Sequence, residues 1–330
     1  MSKIINYNGE TLETKFFENI SDEKCKELKE QYYQKPDFEE VIKNIKSVDK
    51  GGKILNKITN YYFKDLMAKV KLYHSKWSIE DVFNCNDLIR SFYAKTLTNK
   101  KVFPDNMSDI KKIETALRLG GKGIASKPTN FPIKTVDYIL ENFNINNNYY
   151  DFSCGWGVRM LGALRNRVNY FGTDPNYLLT DRLNTLSKDY KQINNVDTIT
   201  DIRTQGSEEF IPAWENRMGV AFSSPPYFGL EDYKVGNQSY KNNTTYQEWK
   251  DTYLTNTIKN IYRYLINDGT LLININNYKN FDLVEDTKKI CEENGFKLVD
   301  TLKLDNIKRV KSTQGFNDNS EGIFVFKKII

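Results

Sequence analysis

Ser224, Pro225, Pro226 and Tyr227 set a hydroxyl, two rigid tertiary amides and a phenol ring side by side within four residues. The prolines have no N–H to give to a ladder and hold the backbone extended, so they end the strand that precedes them. What remains on the turn is the Ser224 hydroxyl and the Pro225 carbonyl, both acceptors, beside the flat face of Tyr227. That set suits a planar ring bearing an amine: the acceptors take its two N–H groups and the phenol stacks on the ring. Ser223 to Phe228 taken alone would equally make an ordinary turn covered by an aromatic. A second cluster upstream favours the first reading.

That cluster is Asp151-Phe152-Ser153-Cys154-Gly155-Trp156-Gly157. Its two glycines let a ligand approach the backbone closely between a strand and a helix. A dinucleotide-binding turn needs a third glycine where Met160 stands, which disfavours a hydride-transfer enzyme. Asp174, about 20 residues beyond the turn, has the spacing of a carboxylate that chelates both hydroxyls of an adenosine ribose. Ser207 and Glu208 offer polar contacts to an adenine. Lys127-Pro128-Thr129-Asn130-Phe131-Pro132 closes an irregular glycine-rich segment that leads into a helix from Ile133, whose start is expected close to the C-terminal end of the next strand.

The elements that must position these groups follow from periodicity. Strands are predicted over 149–152, 170–174, 198–204, 219–222, 270–274, 296–302 and 323–328. Helices are predicted over 133–143, 158–165, 246–266 and 282–293. Ahead of them, residues 1–50 read as helical, and Ile54, Ile58, Tyr62, Phe63, Leu66, Met67 and Val70 form one apolar helix face. Ser78 with Asp81 makes a capping-box variant that opens a helix running towards Phe92. Gly229 to Asn243 reads as a loop or a lid, and Lys308 to Ser312 as a basic loop able to touch phosphate. The domains expected are a mostly helical, basic one over residues 1–118 and an α/β one over 119–330.

Composition excludes several classes. One histidine and four cysteines without close spacing, in 330 residues, leave no structural zinc site and no disulfide framework. Reduced thiols and a cytoplasmic location, in a bacterium or a phage-infected host, are expected, with neither signal peptide nor membrane span. The net charge of +5 is unevenly placed: residues 51–130 hold 15 Lys and Arg against 7 Asp and Glu, whereas 131–330 hold 24 against 25. A basic, aromatic-rich part beside a neutral one fits a polyanionic partner, DNA or RNA.

Strand, glycine turn, helix, a strand ending in acid and a strand ending in Ser-Pro-Pro-Tyr: this order resembles an S-adenosylmethionine-dependent amino-methyltransferase of DNA. The family's first motif matches Asp151 to Gly157, its acidic motif Asp174, and its catalytic motif, (Asp/Asn/Ser)-Pro-Pro-(Tyr/Phe/Trp), Ser224 to Tyr227. The motif at the methionine end resembles Lys127 to Pro132. The likeness covers about residues 120–330. It implies a Rossmann-like, class I methyltransferase sheet of seven strands, the last antiparallel. It also implies S-adenosylmethionine held by Lys127, Thr129, Asn130, Phe131, Asp151, Ser153, Cys154, Gly155, Trp156, Gly157, Asp174, Pro175, Ser207, Glu208 and Ser223, with no metal.

In such an enzyme a base is flipped from duplex DNA and stacked on Tyr227. Its exocyclic nitrogen attacks the sulfonium methyl while Ser224 Oγ and the Pro225 carbonyl hold the amine. Serine at the first motif position points to cytosine N4, with adenine N6 as the alternative, in the setting of restriction and modification. RNA or a protein amide as acceptor stays open, as does an inactive DNA-binding subunit. The family's separate target-recognition domain is expected after the catalytic motif or between the two motifs, and neither interval has room for one, which leaves residues 1–118 for that task.

Overall fold

The computed structural model describes residues 2–48, 52–120, 123–143, 146–234, 237–277, 281–303 and 322–329. Lys308 to Ser312, the basic loop of the sequence reading, lies outside the described residues, as do Gly121 and Lys122. Two compact units interleave along the chain: Met1–Asp37, Phe63–Thr129 and Gly229–Val235 form the first, and Phe38–Tyr62, Asn130–Phe228 and Gly236–Ile330 the second. The sequence reading draws one boundary, after residue 118. Residues 38–62 fall in the second unit for a local reason. The Tyr62 hydroxyl donates to Asp189 Oδ2 at 2.6 Å, and Arg182 donates to the Tyr62 carbonyl at 3.0 Å.

The first unit opens on a hairpin, Lys3–Tyr7 paired antiparallel with Glu10–Thr14, where a helix was expected. Asn8 and Gly9 join the strands with φ of 46° and 75°. Two left-handed positions in succession are what a tight hairpin turn needs, and Asn-Gly supplies them at least cost. Helices Asp22–Tyr33, Ile79–Asn84, Asn86–Thr96 and Asp109–Gly120 follow, around a core that includes Leu28, Phe83 and Phe92. Ser78 and Asp81 make the reciprocal capping box expected of them. The helix they open stops at Cys85, whose extended backbone (φ −123°, ψ 108°) separates it from the next. Within Gly229 to Asn243, Glu231–Asp232 pairs with Lys71–Leu72, so that part of the expected loop is held in a ladder.

The second unit is built on a seven-stranded sheet. Its strands are β1 (Asn148–Asp151), β2 (Asn169–Thr173), β3 (Thr200–Arg203), β4 (Met218–Ser223), β5 (Leu265–Ile275), β6 (Phe296–Lys303) and β7 (Gly322–Lys328). They lie in the order β3-β2-β1-β4-β5-β7-β6. β7 runs antiparallel to both neighbours, while the pairs β1–β2, β2–β3, β1–β4 and β4–β5 are parallel. β4 is buried at all six positions, as a parallel strand covered on both faces must be. One helical expectation changes. The helix from Tyr246 carries a π turn at Lys250–Leu254 and ends at Tyr264, and β5 begins at once at Leu265.

From β1 the chain builds outward to β3, then returns to the other side of β1 to lay down β4. The order therefore reverses between β1 and β4. In open α/β sheets the crevice beyond the carboxyl ends of two such strands is where ligands bind. Tyr149 and Tyr150 pair with Val220 and Ala221, so the turns that leave β1 and β4 emerge at the same level.

Candidate active site

Gly155 and Gly157 have φ of 55° and 76°, and the second caps the helix Val158–Arg165 without any side chain. Both positions lie in the left-handed region, which glycine takes without strain. The Gly155 N–H donates to the Asp174 carboxylate, which also accepts from the Asn176 N–H at 3.0 Å. The β1 turn and the acid beyond β2 are thus one structure. Burial pushes the Asp174 carboxyl up to about 7; the two amide bonds oppose that rise, and the charge of Asp151 adds to it.

The carboxylate of Asp151, expected among the groups that hold the cofactor, is engaged by residues of the chain itself. It is fully buried, and its carboxylate accepts from Arg159 Nε at 2.9 Å, the Tyr170 hydroxyl at 2.9 Å and the Ser153 N–H at 3.3 Å. Arg159 also donates to the Ser153 carbonyl. The pair braces the glycine turn from beneath, with all three bonds made inside the protein. Cys154 is buried too, and both its N–H and its thiol reach the Thr173 carbonyl, at 3.2 and 3.3 Å. A β-carbon on Gly172 would come within 2.6 Å of that sulfur, so the contact between turn and β2 requires glycine there. Trp156 is largely buried.

The catalytic candidate stands on the adjacent strand. Ser223, the last residue of β4, is fully buried and donates from Oγ to the Ser153 carbonyl at 3.3 Å, which ties the two turns together. Beyond it Ser224, Pro226 and Tyr227 are half-buried and Pro225 is buried. Ser224 Oγ accepts from Asn274 Nδ2 at 2.9 Å, and the Tyr227 hydroxyl accepts from the Asn276 N–H at 2.7 Å. Both partners lie at the end of β5. Phe228 packs edge-on against Tyr246 and Phe281, with ring centres 6.0 and 5.8 Å away.

Phe131 reaches the same end of the sheet. Its ring lies 5.5 Å from that of Phe222 and 5.8 Å from the Arg159 guanidinium. Asn130 donates to Asn56 Oδ1 at 2.7 Å and Thr59 Oγ1 at 2.8 Å, while its own Oδ1 is buried without a hydrogen-bond partner among the described residues. Lys127 and Thr129 belong to the first unit. Pro175 follows Asp174 and is half-buried.

Ser207 and Glu208 stand past β3 and turn towards the helix Thr255–Tyr264. Ser207 Oγ shares a hydrogen with Thr257 Oγ1 at 2.8 Å, and its carbonyl accepts from Asn260 at 3.0 Å. Burial raises the Glu208 carboxyl, which lines an open groove of about 380 Å³ with Asn256, Lys259 and Arg263. Tyr253, on the π turn, connects these residues to the crevice. Burial chiefly raises its phenol, its hydroxyl bonds Ser207, and the charges of Glu208 and Asp174 both bear on it.

Sequence reasoning passed over Asn274, Asn276, Arg159 and Tyr253. Only Asn274 left a local signal, as an amide inside the apolar run Leu271 to Ile275.

The sheet order and its reversed last strand define a class I methyltransferase fold. Residues 219–329, from β4 to the last strand, match the family model N6_N4_Mtase, described as DNA methylase. Among solved structures, the chain is similar to a TehB-like S-adenosylmethionine-dependent methyltransferase from Corynebacterium glutamicum (13% identity over 58% of this chain and 86% of that one, TM-score 0.41). It is also similar to magnesium protoporphyrin IX methyltransferase from Synechocystis (11%, 69% and 88%, TM-score 0.39) and to the CcbJ methyltransferase from Streptomyces caelestis (9%, 59% and 94%, TM-score 0.42). Likenesses this distant add no argument to that of the sheet itself. A search of curated proteins found no match. The fold and the DNA methylase match imply S-adenosylmethionine as the cofactor. Among the described residues no helix is long and apolar enough to cross a membrane.

Proposed function

We propose that this chain is an S-adenosylmethionine-dependent DNA methyltransferase acting on the exocyclic amine of a flipped base, cytosine N4 before adenine N6. One observation carries the reading. Ser-Pro-Pro-Tyr leaves β4 beside the glycine turn of β1, where the strand order reverses, and Ser223 bonds the two turns together.

The residues fit the cofactor. Gly155 and Gly157 form a cradle that a β-carbon would disturb, Asp174 offers carboxylate oxygens at its rim, and Asn130 Oδ1 is an acceptor still to be satisfied. Asp174 would hold the ribose, the Gly155–Gly157 turn the methionine portion, and Asn130 and Phe131 the edge of the site. When bound, the cofactor supplies a methyl group activated by a sulfonium.

The chain's own part is to bind and orient the acceptor. An aromatic amine is a weak nucleophile because its lone pair is delocalised into the ring. Ser224 Oγ and the Pro225 carbonyl would accept its two N–H groups and favour the pyramidal form in which the lone pair is localised. Tyr227 would hold the ring by stacking, its own ring fixed by the hydroxyl bond to Asn276.

Digestion of treated DNA to nucleosides followed by mass spectrometry tests the reading. N4-methylcytosine supports it, and N6-methyladenine changes the base but keeps the chemistry. Unmodified DNA together with labelled RNA or protein would move the acceptor elsewhere. Stacking of a base on an aromatic ring is worth about 1–3 kcal/mol, so Tyr227→Ala should lower kcat/KM by roughly 5–150-fold. Tyr227→Phe keeps the ring and loses one hydrogen bond, for a fall of about two- to tenfold. Equal losses in the two variants would show that the ring does not stack.

A further inference from the structure

We propose that Asn274 is a positioning residue for Ser224, an inference that rests on the proposed function. Asn274 sits in β5 with 2% of its surface exposed, between residues Leu272, Ile273 and Ile275 that are buried and apolar. An amide in such a strand carries a desolvation cost that only a hydrogen bond offsets. A leucine would fill the same space without it. Polar groups kept where local rules call for apolar ones concentrate at functional sites.

Its Nδ2 donates to the serine hydroxyl of the Ser-Pro-Pro-Tyr turn, at 2.9 Å and across 50 residues of sequence. A serine side chain has three staggered rotamers, and its oxygen has two lone pairs and one hydrogen. The Asn274 N–H selects one rotamer and occupies one lone pair. The second lone pair is left to meet an N–H of the target amine. The hydroxyl is therefore in place before the base arrives, and no ordering cost falls on the reaction step. The parallel pairing of Ser223 with Ile273 brings the two side chains level, so β5 aims a residue that β4 carries.

The test compares Asn274→Leu and Asn274→Ala with the unaltered chain, alone and in a Ser224→Ala background. For the single variants kcat is expected to fall on the order of tenfold. Cofactor affinity by calorimetry and the KM for the cofactor should stay as they were, and Asn274→Leu should melt no lower than the parent. Asn274→Asp accepts the serine O–H instead and leaves both lone pairs free, so it should recover most of the rate. In the Ser224→Ala background Asn274→Leu should cost nothing more. Full activity in Asn274→Leu, or the same loss with and without Ser224, would overturn the assignment. Absence of methyl transfer by the parent chain to any nucleic acid would instead overturn the proposed function, and this inference with it.

Discussion

Arg159→Met is expected to destabilise the second unit by about 3–5 kcal/mol, the usual cost of removing one partner from a buried ion pair. Asp151 is fully buried and Arg159 is 8% exposed, with 2.9 Å between Nε and the carboxylate. Methionine fills much of the same volume, so little of the effect comes from a cavity. The loss arises because the buried Asp151 carboxylate is left without its cationic partner, with Tyr170 and Ser153 as its remaining donors among the described residues. Asp151→Asn combined with Arg159→Met should recover a large part of it, since buried pairs replaced as a pair often cost little. Arg159→Lys should fall between, because lysine restores the charge without the fork that serves both Asp151 and the Ser153 carbonyl. Urea unfolding followed through tryptophan fluorescence measures all three. A loss below about 1 kcal/mol in Arg159→Met would mean that water reaches Asp151. Because the pair lies under the glycine turn, cofactor affinity should drop in the same variant even where it is still folded.

Asp174→Asn is expected to weaken cofactor binding by about 10- to 100-fold at pH 8, through the loss of charge-assisted hydrogen bonds to the ribose. The parent chain should also show a pH dependence that the variant lacks. Burial raises the Asp174 carboxyl from 3.8 to about 7, so the folded protein holds this proton more tightly than the unfolded chain does. If the ionised form binds, affinity rises as pH rises through 7 and levels off above it. Each pH unit below 7 then costs about tenfold. Stability runs the other way. The contribution of this group favours the folded state at low pH, and it is lost as pH climbs from near 4 through 7. Asp174→Asn should therefore melt no lower than the parent at pH 8 while binding the cofactor far less well. Calorimetric titrations at pH 6, 7 and 8 decide the matter, and a flat profile in the parent chain would remove Asp174 from the ribose.

The interleaving of the two units bears on how the basic N-terminal part can be studied. Deleting residues 1–115 would remove Asn56 and Thr59, which hold Asn130, and Tyr62, which holds Asp189. Weaker DNA binding by such a truncation would not separate recognition from damage to the second unit. Substitution of individual lysines within Phe63–Thr129 leaves those bonds in place.

What the amino-acid sequence determined alone is the part written in covalent geometry. Prolines without N–H groups end β4 where the apolar run stops, and glycines at positive φ mark the turn after β1. Alternating strand and helix patterns place every strand of the sheet to within a few residues, apart from the early start of β5. The Asn8-Gly9 hairpin was legible by the same logic, yet the charged helical pattern that follows it hid the signal. Tertiary structure decided which groups meet. Asn274 and Ser224 stand 50 residues apart, Tyr62 and Asp189 127, and Asn130 and Asn56 74. Nothing in the local sequence around either member names the other. These partners are chosen by strand order and register, which follow from burying the whole sheet at once. A backbone turn depends on its own few residues, whereas a side-chain hydrogen bond across the sheet depends on the packing of everything between.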